Sequence, residues 1–264
     1  MTESTGTYSD SKGSSDSRNA YMNPLGYSPN GNFHATWTWR EGAGGANHDI
    51  MYAYSDDNGV TWFNNSGTAI ADTSIGEVIT LDSPGVKIWT LDRAYGTMNQ
   101  QAQTIDAQGR VHVVMYRCYR TVSSTWGTVG DRRYYHYWRD SGGTWHENQL
   151  YFDTDDVSSY VGQRPKLFIR SNGDAYVIYQ SWRSVSLGST LIYVHDGDLV
   201  IQAATEANNW NDWQIIHVET GPFLSEALGD PYHFEDGILS VVMQESPSPN
   251  GTPTPLRVLD FQLN

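Results

Sequence analysis

His48 stands behind a glycine-rich loop in the run REGAGGANHDIM, with Arg40 and Glu41 before it and Asp49 after it. An imidazole moves protons near neutral pH, a guanidinium grips a carboxylate with two prongs, and glycines let backbone approach a ligand closely. Arginines recur downstream: Arg117, Arg120, Arg132 and Arg133 crowd around Cys118, and Arg164 lies in GQRPKL. These residue types suit the binding of an anionic substrate with transfer of a proton. His48 is therefore the candidate catalytic group. Each of these residues also has a plainer use. His48 can satisfy loop backbone, Arg40 can pair with Glu41 or Asp49, Arg164 can pair with Asp230, and the arginine cluster can be a solvated loop.

Composition removes other chemistries. The 264 residues carry 16 basic and 30 acidic side chains, a net charge of −14, which excludes a general nucleic-acid binder. No phosphate-cradling glycine loop with a following Lys-Ser/Thr occurs, nor a Gly-x-Ser-x-Gly elbow. One cysteine, Cys118, allows no internal disulfide. No window approaches the roughly 18 apolar residues of a membrane span, and MTESTGTYSDSKGSSDSR has no apolar signal region. No cofactor and no metal site are expected.

The elements that must position the candidate residues are strands. Residues 1–18, rich in Ser, Gly, Asp and Thr, read as a flexible lead-in. Beyond them SPNGNFHATWTWR, DAQGRVHVVMYR, RSNGDAYVIYQSW and FEDGILSVVMQES align on Gly31, Gly109, Gly173 and Gly237, at intervals of 78, 64 and 64 residues. In each, a polar residue and a glycine separate an upstream strand from an alternating one, the signature of a hairpin whose glycine takes positive φ. Third strands follow at HDIMYAYS, RRYYHYWRD, STLIYVH and PLRVLDF, and fourth strands at TWFNN, TWHENQLYF and WQIIHVE. The fold class is therefore all-β, a β-propeller of four-stranded antiparallel blades. About four blades are expected, over residues 19–98, 99–160, 161–226 and 227–264, as a whole small ring or part of a larger one.

In such a fold the mouth collects the starts of the innermost strands and the loops between second and third strands. That places Tyr21, Asn23, Gln101, Arg164 and Asp230 beside Arg40, Glu41, His48, Arg117, Arg120, Trp126 and Arg183. The expected binding set is Tyr21, Asn23, Arg40, Gln101, Arg117, Arg120 and Arg164, with His48 catalytic. His34 and His112 both lie three residues past the turn glycine, which argues for scaffold. Residues 55–62, SDDNGVTW, fit the Asp-box Ser-x-Asp-x-Gly-x-Thr-Trp, and DSGGTW at 140–145 keeps most of it.

The run HATWTWREGAGGANHDIMYAYSDDNGVTW, with NQQAQTIDAQGRVHVVM, GQRPKLFIRSNGDAYVIY and GILSVVMQ, resembles the BNR-repeat propeller family of ulvan lyases and related rhamnose–glucuronate lyases and rhamnosidases. The resemblance implies a seven-bladed ring acting on acidic, rhamnose-containing polysaccharides, its lyases cleaving beside a uronate by β-elimination. It also implies catalytic histidines in His-Asn contexts on earlier blades, and this chain has no His-Asn dipeptide. The chain thus reads as the C-terminal blades of a carbohydrate-active propeller, a polysaccharide lyase on uronate and rhamnose glycans. A non-catalytic glycan-binding module and a sialidase- or rhamnosidase-like hydrolase are the alternatives. The expected partner is an acidic polysaccharide, with no nucleic acid, no membrane, and self-association through open blade ends. Such a substrate implies an extracellular or periplasmic location.

Overall fold

The computed structural model describes residues 2, 5–42, 45–124, 127–187, 190–194, 196–247 and 251–263. Trp126 lies outside the described residues, and the side chain of Arg183 lies outside the described side chains. The strands are β1 (Tyr8–Asp10), β2 (Gly13–Ser15), β3 (Arg18–Met22), β4 (Gly26–Tyr27), β5 (Phe33–Glu41), β6 (Asn47–Ser55), β7 (Thr61–Phe63), β8 (Ala69–Asp72) and β9 (Lys87–Trp89). Next come β10 (Gln103–Ile105), β11 (Val111–Cys118), β12 (Arg132–Arg139), β13 (Trp145–Gln149), β14 (Lys166–Ile169), β15 (Ala175–Gln180) and β16 (Arg183–Leu187). The last are β17 (Thr190–Val194), β18 (Asp196–Ala204), β19 (Gln214–Asp230), β20 (Ile238–Glu245) and β21 (Leu256–Gln262). All pairings between these strands are antiparallel. Among the described residues no helix is long and apolar enough to cross a membrane.

The four turn glycines occupy matching hairpin tips. Gly31, Gly109, Gly173 and Gly237 have φ of 88°, 80°, 90° and 85°. Each donates its N–H to the carbonyl three residues back, at Ser28, Asp106, Arg170 and Phe234, over 2.8–3.0 Å. They join β4 to β5, β10 to β11, β14 to β15 and β19 to β20. Left-handed backbone is why the position selects glycine.

The chain divides into two compact units, Met1–Asp131 with Tyr135–Glu147, and Arg132–Tyr134 with Asn148–Asn264. In the first, the sheet order β3-β5-β6-β7-β8 carries β4 and β9 on its flanks, and β10-β11-β12-β13 forms the next sheet. Strand β5 is buried on both faces, and Ala35, Trp37 and Trp39 pack with Met51, Ala53, Trp62 and Ile79. A second cluster joins Ile50, Leu91, Met98, Val113, Met115, Tyr135 and Tyr137. At residues 55–62, Asp57 Oδ1 accepts from the N–H groups of Val60 and Thr61, and Trp62 Nε1 donates to the Gly59 carbonyl at 2.9 Å.

The second unit departs from the expected blades. STLIYVH does form a strand, β17, but it pairs with β16 as a separate hairpin; the third strand of the ladder is β18, from DGDLVIQAA. Alternation marks a strand without saying what it pairs with. Strand β19 runs for 17 residues, pairing its first part with β18 and its last with β20. The boundary expected at 226/227 therefore falls inside one strand, and β14-β15-β18-β19-β20-β21 is a single six-stranded sheet. Its core includes Tyr176, Ile178, Leu199, Ile201, Phe223, Phe234, Leu239, Val241 and Met243.

The lead-in, expected to be flexible, contains a folded hairpin, β1 with β2. Asp10 accepts hydrogen bonds from the backbone and guanidinium of Arg93, and burial's upward push on its carboxyl is outweighed by these, which bring it down to about 2. Charge pairing at residues 10 and 93 supplies what the apolar-poor composition lacks.

The two repeat histidines are scaffold. His34 bridges Tyr52 Oη (2.8 Å) and Ser28 Oγ (3.0 Å); His112 bridges His136 (2.9 Å) and Asp106 (3.2 Å). Each thus ties the turn residue before the glycine to the third strand. Burial, with the Arg139 charge, lowers the His34 imidazole to about 4.

Two outcomes follow from this framework. At Gly31 an added Cβ meets nothing within 4 Å, so Gly31→Ala carries only the left-handed strain, about 1–2 kcal/mol in chemical denaturation. Gly173→Ala, where the new methyl meets Glu206, loses more. For His34, the unfolded chain takes up a proton near pH 6.5 and the folded one only near 4. Its contribution is present above pH 6.5 and is lost as pH falls toward 4, by up to about 3 kcal/mol. His34→Gln should flatten that part of the stability–pH curve; an unaltered slope contradicts the assignment.

Candidate functional site

The β5–β6 hairpin aims the candidate residues. Paired residues on neighbouring strands project to one face, and the next pair projects to the other. Arg40 pairs with Asn19 on β3 and with Asn47 on β6, and Asn47 bridges Thr97. Asn19, Arg40, Asn47 and Thr97 therefore form a polar row on one face. Arg18 pairs with Glu41, which bonds His48, on the opposite face. Strand alternation separates His48 from Arg40.

The Arg40 face is a polar seam. Toward its closed end, Asn23 Nδ2 donates to Thr36 Oγ1 (2.9 Å), which donates to Gln103 Oε1 (2.6 Å), and the Gln101 N–H donates to Asn23 Oδ1 (2.7 Å). Asn23 is buried and its amide is fully engaged, so it positions Gln101 where a substrate contact was expected. At the other end Arg40 Nη1 donates to Tyr21 Oη at 3.3 Å, with the guanidinium 5.4 Å from the Tyr21 ring centroid. Asn47 Nδ2 donates to Thr38 Oγ1 (2.6 Å) and to the Met98 carbonyl (3.2 Å). Arg40 Nε, Asn47 Oδ1 and Thr97 Oγ1 are buried without a hydrogen-bond partner among the described residues. Of these only Arg40 adjoins Tyr21; Asn47 pairs with Arg40, and Thr97 with Asn47. Buried polar atoms of this kind are ordinarily satisfied, here by water or by a ligand's polar groups.

His48, expected at the mouth, has no exposed surface. Its Nε2 is 3.0 Å from Glu41 Oε1 and its Nδ1 is 3.1 Å from Asp49 Oδ2, while the Tyr8 ring stacks on it at 3.5 Å and 14°. Glu41 also accepts from Arg18 Nε at 2.7 Å. Burial pushes the Glu41 carboxyl up, but hydrogen bonds from Arg18, Ser15 and His48 and the Arg18 charge hold it below the usual carboxylate range. In this arrangement His48 is the middle of a buried charged chain roofed by the N-terminal hairpin. It is closed to a substrate.

The remaining arginines are paired. Arg117 makes two 2.9 Å bonds to Glu147, donates to Tyr137 Oη (3.1 Å) and lies 3.7 Å from the Tyr135 ring centroid. Arg120 bonds Asp131, which also accepts from Thr128. Two of the four arginines of the expected cationic patch are thus held in ion pairs, and Arg133 lies over the Phe152 ring. Arg164, in the second unit, pairs with Glu226 at 2.6 Å in place of Asp230, and Lys166 shares that carboxylate.

Asn47 and Thr97 were not among the expected residues. Asn47 was within reach of sequence reasoning, since it faces Arg40 across the same hairpin loop that drew attention to His48. Thr97, in GTMNQQ, carries no signal of its own.

The model of the family described as "BNR repeat-containing family member" matches residues 2–152, more than half of the chain. No match was found among curated proteins. Among solved structures, the polysaccharide lyase Uly1 superposes with a TM-score of 0.55 at 16% identity, over 94% of this chain and 47% of that one. A PL25 ulvan lyase bound to -[GlcA(1-4)Rha3S]- gives 0.56 at 11% identity, over 96% and 53%; a second PL25 ulvan lyase structure gives 0.54 at 12%, over 92% and 50%. The likeness is one of fold, all-β and propeller-like. The chain spans about half the length of these structures.

The two faces of the hairpin predict different variants. Glu41→Ala leaves Arg18 and His48 buried without their shared carboxylate and lowers stability by about 3–5 kcal/mol. Arg40→Ala, which removes one long hydrogen bond, changes it by less than about 1 kcal/mol. Thermal unfolding reads the difference; equal losses contradict the separation of faces.

Proposed function

The chain belongs to the BNR repeat-containing family, and from that premise we propose that it is a carbohydrate-active propeller, a polysaccharide lyase cleaving acidic uronate- and rhamnose-containing glycans by β-elimination. The observation that carries the reading is the partly exposed pair Arg40 and Tyr21, with Arg40 Nε unpartnered among the described residues. Elimination next to a uronate needs a cation to neutralise the carboxylate, a base for the C5 proton and an acid for the leaving oxygen. Arg40 takes the first role. As its guanidinium turns to the carboxylate, its weak bond to Tyr21 Oη is released. Tyr21, having first given its phenol proton to solvent, removes the C5 proton as a phenolate and returns it to the departing glycosidic oxygen on the same face. Tyr21 and Arg40, both partly exposed, meet the sugar, while Asn47 and Thr97, as buried as His48, stay out of contact with it. The fold similarity to lyases, one of them bound to a glucuronate–rhamnose glycan, supports the substrate class. An extracellular or periplasmic location goes with a polymeric substrate. In this reading the repeats count as four blades, the last two joined through β19.

A second reading, glycan binding without cleavage, is favoured by the enclosure of His48 between Glu41, Asp49 and Tyr8. The two separate in one experiment. Incubation with ulvan is followed by the ultraviolet absorbance of the unsaturated uronate and, in parallel, by affinity electrophoresis. The lyase reading expects absorbance to rise, Tyr21→Phe to lower kcat by about 10²–10⁴-fold, and Arg40→Ala to lower kcat/KM by about 10²-fold or more. Retarded migration with no absorbance leaves the binding module; neither signal removes both.

A further inference from the structure

The second unit holds a cleft that the proposed activity does not use. It has a volume of about 400 Å³ and is bordered by β15, β18, β19 and β21. Ile201 and Leu263 are buried and make its floor with Ala203; His217, Asp260 and Gln262 are solvent-accessible and make its rim. The Tyr176 and Phe261 rings wall it, and the His217 ring lies against Phe261 at 4.7 Å.

The rim carries two acceptor oxygens and an imidazole. Asp260 Oδ1 accepts from Ser240 Oγ at 2.6 Å, and its second oxygen has no partner among the described residues. Gln262 spends its Nε2 on the Gly237 carbonyl at 3.0 Å, leaving its amide oxygen as an acceptor. His217 Nε2 is buried without a hydrogen-bond partner among the described residues and lies 3.5 Å from Glu219 Oε2. The rim thus offers two acceptor oxygens and one imidazole nitrogen, and the carboxylates of Asp260 and Glu219 stand on its His217 side. Carboxylate, sulfate and phosphate bring negative charge against Asp260, which disfavours them relative to a neutral ligand. A hydroxyl-rich ring brings donors, and its C–H face fits the aliphatic floor and the Phe261 wall.

We propose that this cleft is a second glycan site, specific for a neutral pyranose, with Asp260 and Gln262 accepting its hydroxyls and Phe261 taking its apolar face. The site is independent of the Arg40 seam and stands whether or not that seam cleaves a glycan. The two would divide a mixed polymer, one holding an acidic residue and the other a neutral one.

The test is saturation-transfer NMR on the full chain with methyl β-D-glucopyranoside, methyl β-D-galactopyranoside, the methyl glucuronide and methyl glucosaminide. The charged ligands are tested on Arg40→Ala, which lacks the proposed uronate contact: there at least one neutral glycoside should bind in the roughly millimolar range and the glucuronide should not, and the cleft variants are made in the same background. Ala203→Phe, which fills the cleft, should weaken the neutral glycoside at least 10-fold. Asp260→Asn, which keeps the shape and removes the charge, should admit the glucuronide. Arg40→Ala should leave the neutral signal unaltered, which separates this site from the proposed active site. Circular dichroism checks folding, and Ala203→Leu replaces the phenylalanine variant if that one is perturbed. Silence from both neutral glycosides, equal binding of the glucuronide, tighter binding of the amine, or indifference to both cleft variants each overturns the proposal.

Discussion

Alternation along β5 and β6 governs everything that the first unit can do. Two consecutive residues of a strand cannot serve one site, and here the consecutive pairs Arg40–Glu41 and Asn47–His48 are split between faces by the register that joins the strands. One face receives Arg18, Glu41 and His48, and the other receives Asn19, Arg40 and Asn47. The charged side chains nearest each other in sequence therefore have different employments. A slip of one residue would exchange them and bury the wrong set.

The two faces resolve their polarity differently. On the Glu41 side every charge meets an opposite or a hydrogen-bonding partner, and Tyr8 closes the top. Such a network adds little net stability, since desolvation consumes most of the attraction, but it is severe on any single loss. On the Arg40 side the inner residues satisfy one another through Asn23, Thr36 and Gln103, and the pairing stops short of Arg40, Asn47 and Thr97.

Much of the architecture was legible because its signals are local. A polar residue followed by glycine between two apolar strands specifies its own turn, so Gly31, Gly109, Gly173 and Gly237 could be aligned from sequence, and their backbone angles agree within 10°. Recurrence at one repeat position likewise marked His34 and His112 as scaffold. The site was legible only in part. Tyr21 and Arg40 are in contact, and His48, though near Arg40 in the chain, lies on the opposite face of the hairpin. Arg117 and Arg120 looked like a cationic surface because Glu147 and Asp131 lie 30 and 11 residues further on, and nothing local announces those partners. Strand β17 was misplaced for the same reason: alternation is a property of a segment, pairing a property of two.

Strand β19 carries a consequence for how the second unit comes apart. In a repeat array each module meets its neighbour through side-chain packing, so modules can melt one at a time from an end. Here a continuous backbone ladder crosses from one repeat to the next, and β18 and β20 are both held by the same 17 residues. Fraying of the terminal repeat would have to break main-chain bonds in the middle of its neighbour. These two modules are one cooperative domain, to be gained, lost or exchanged together.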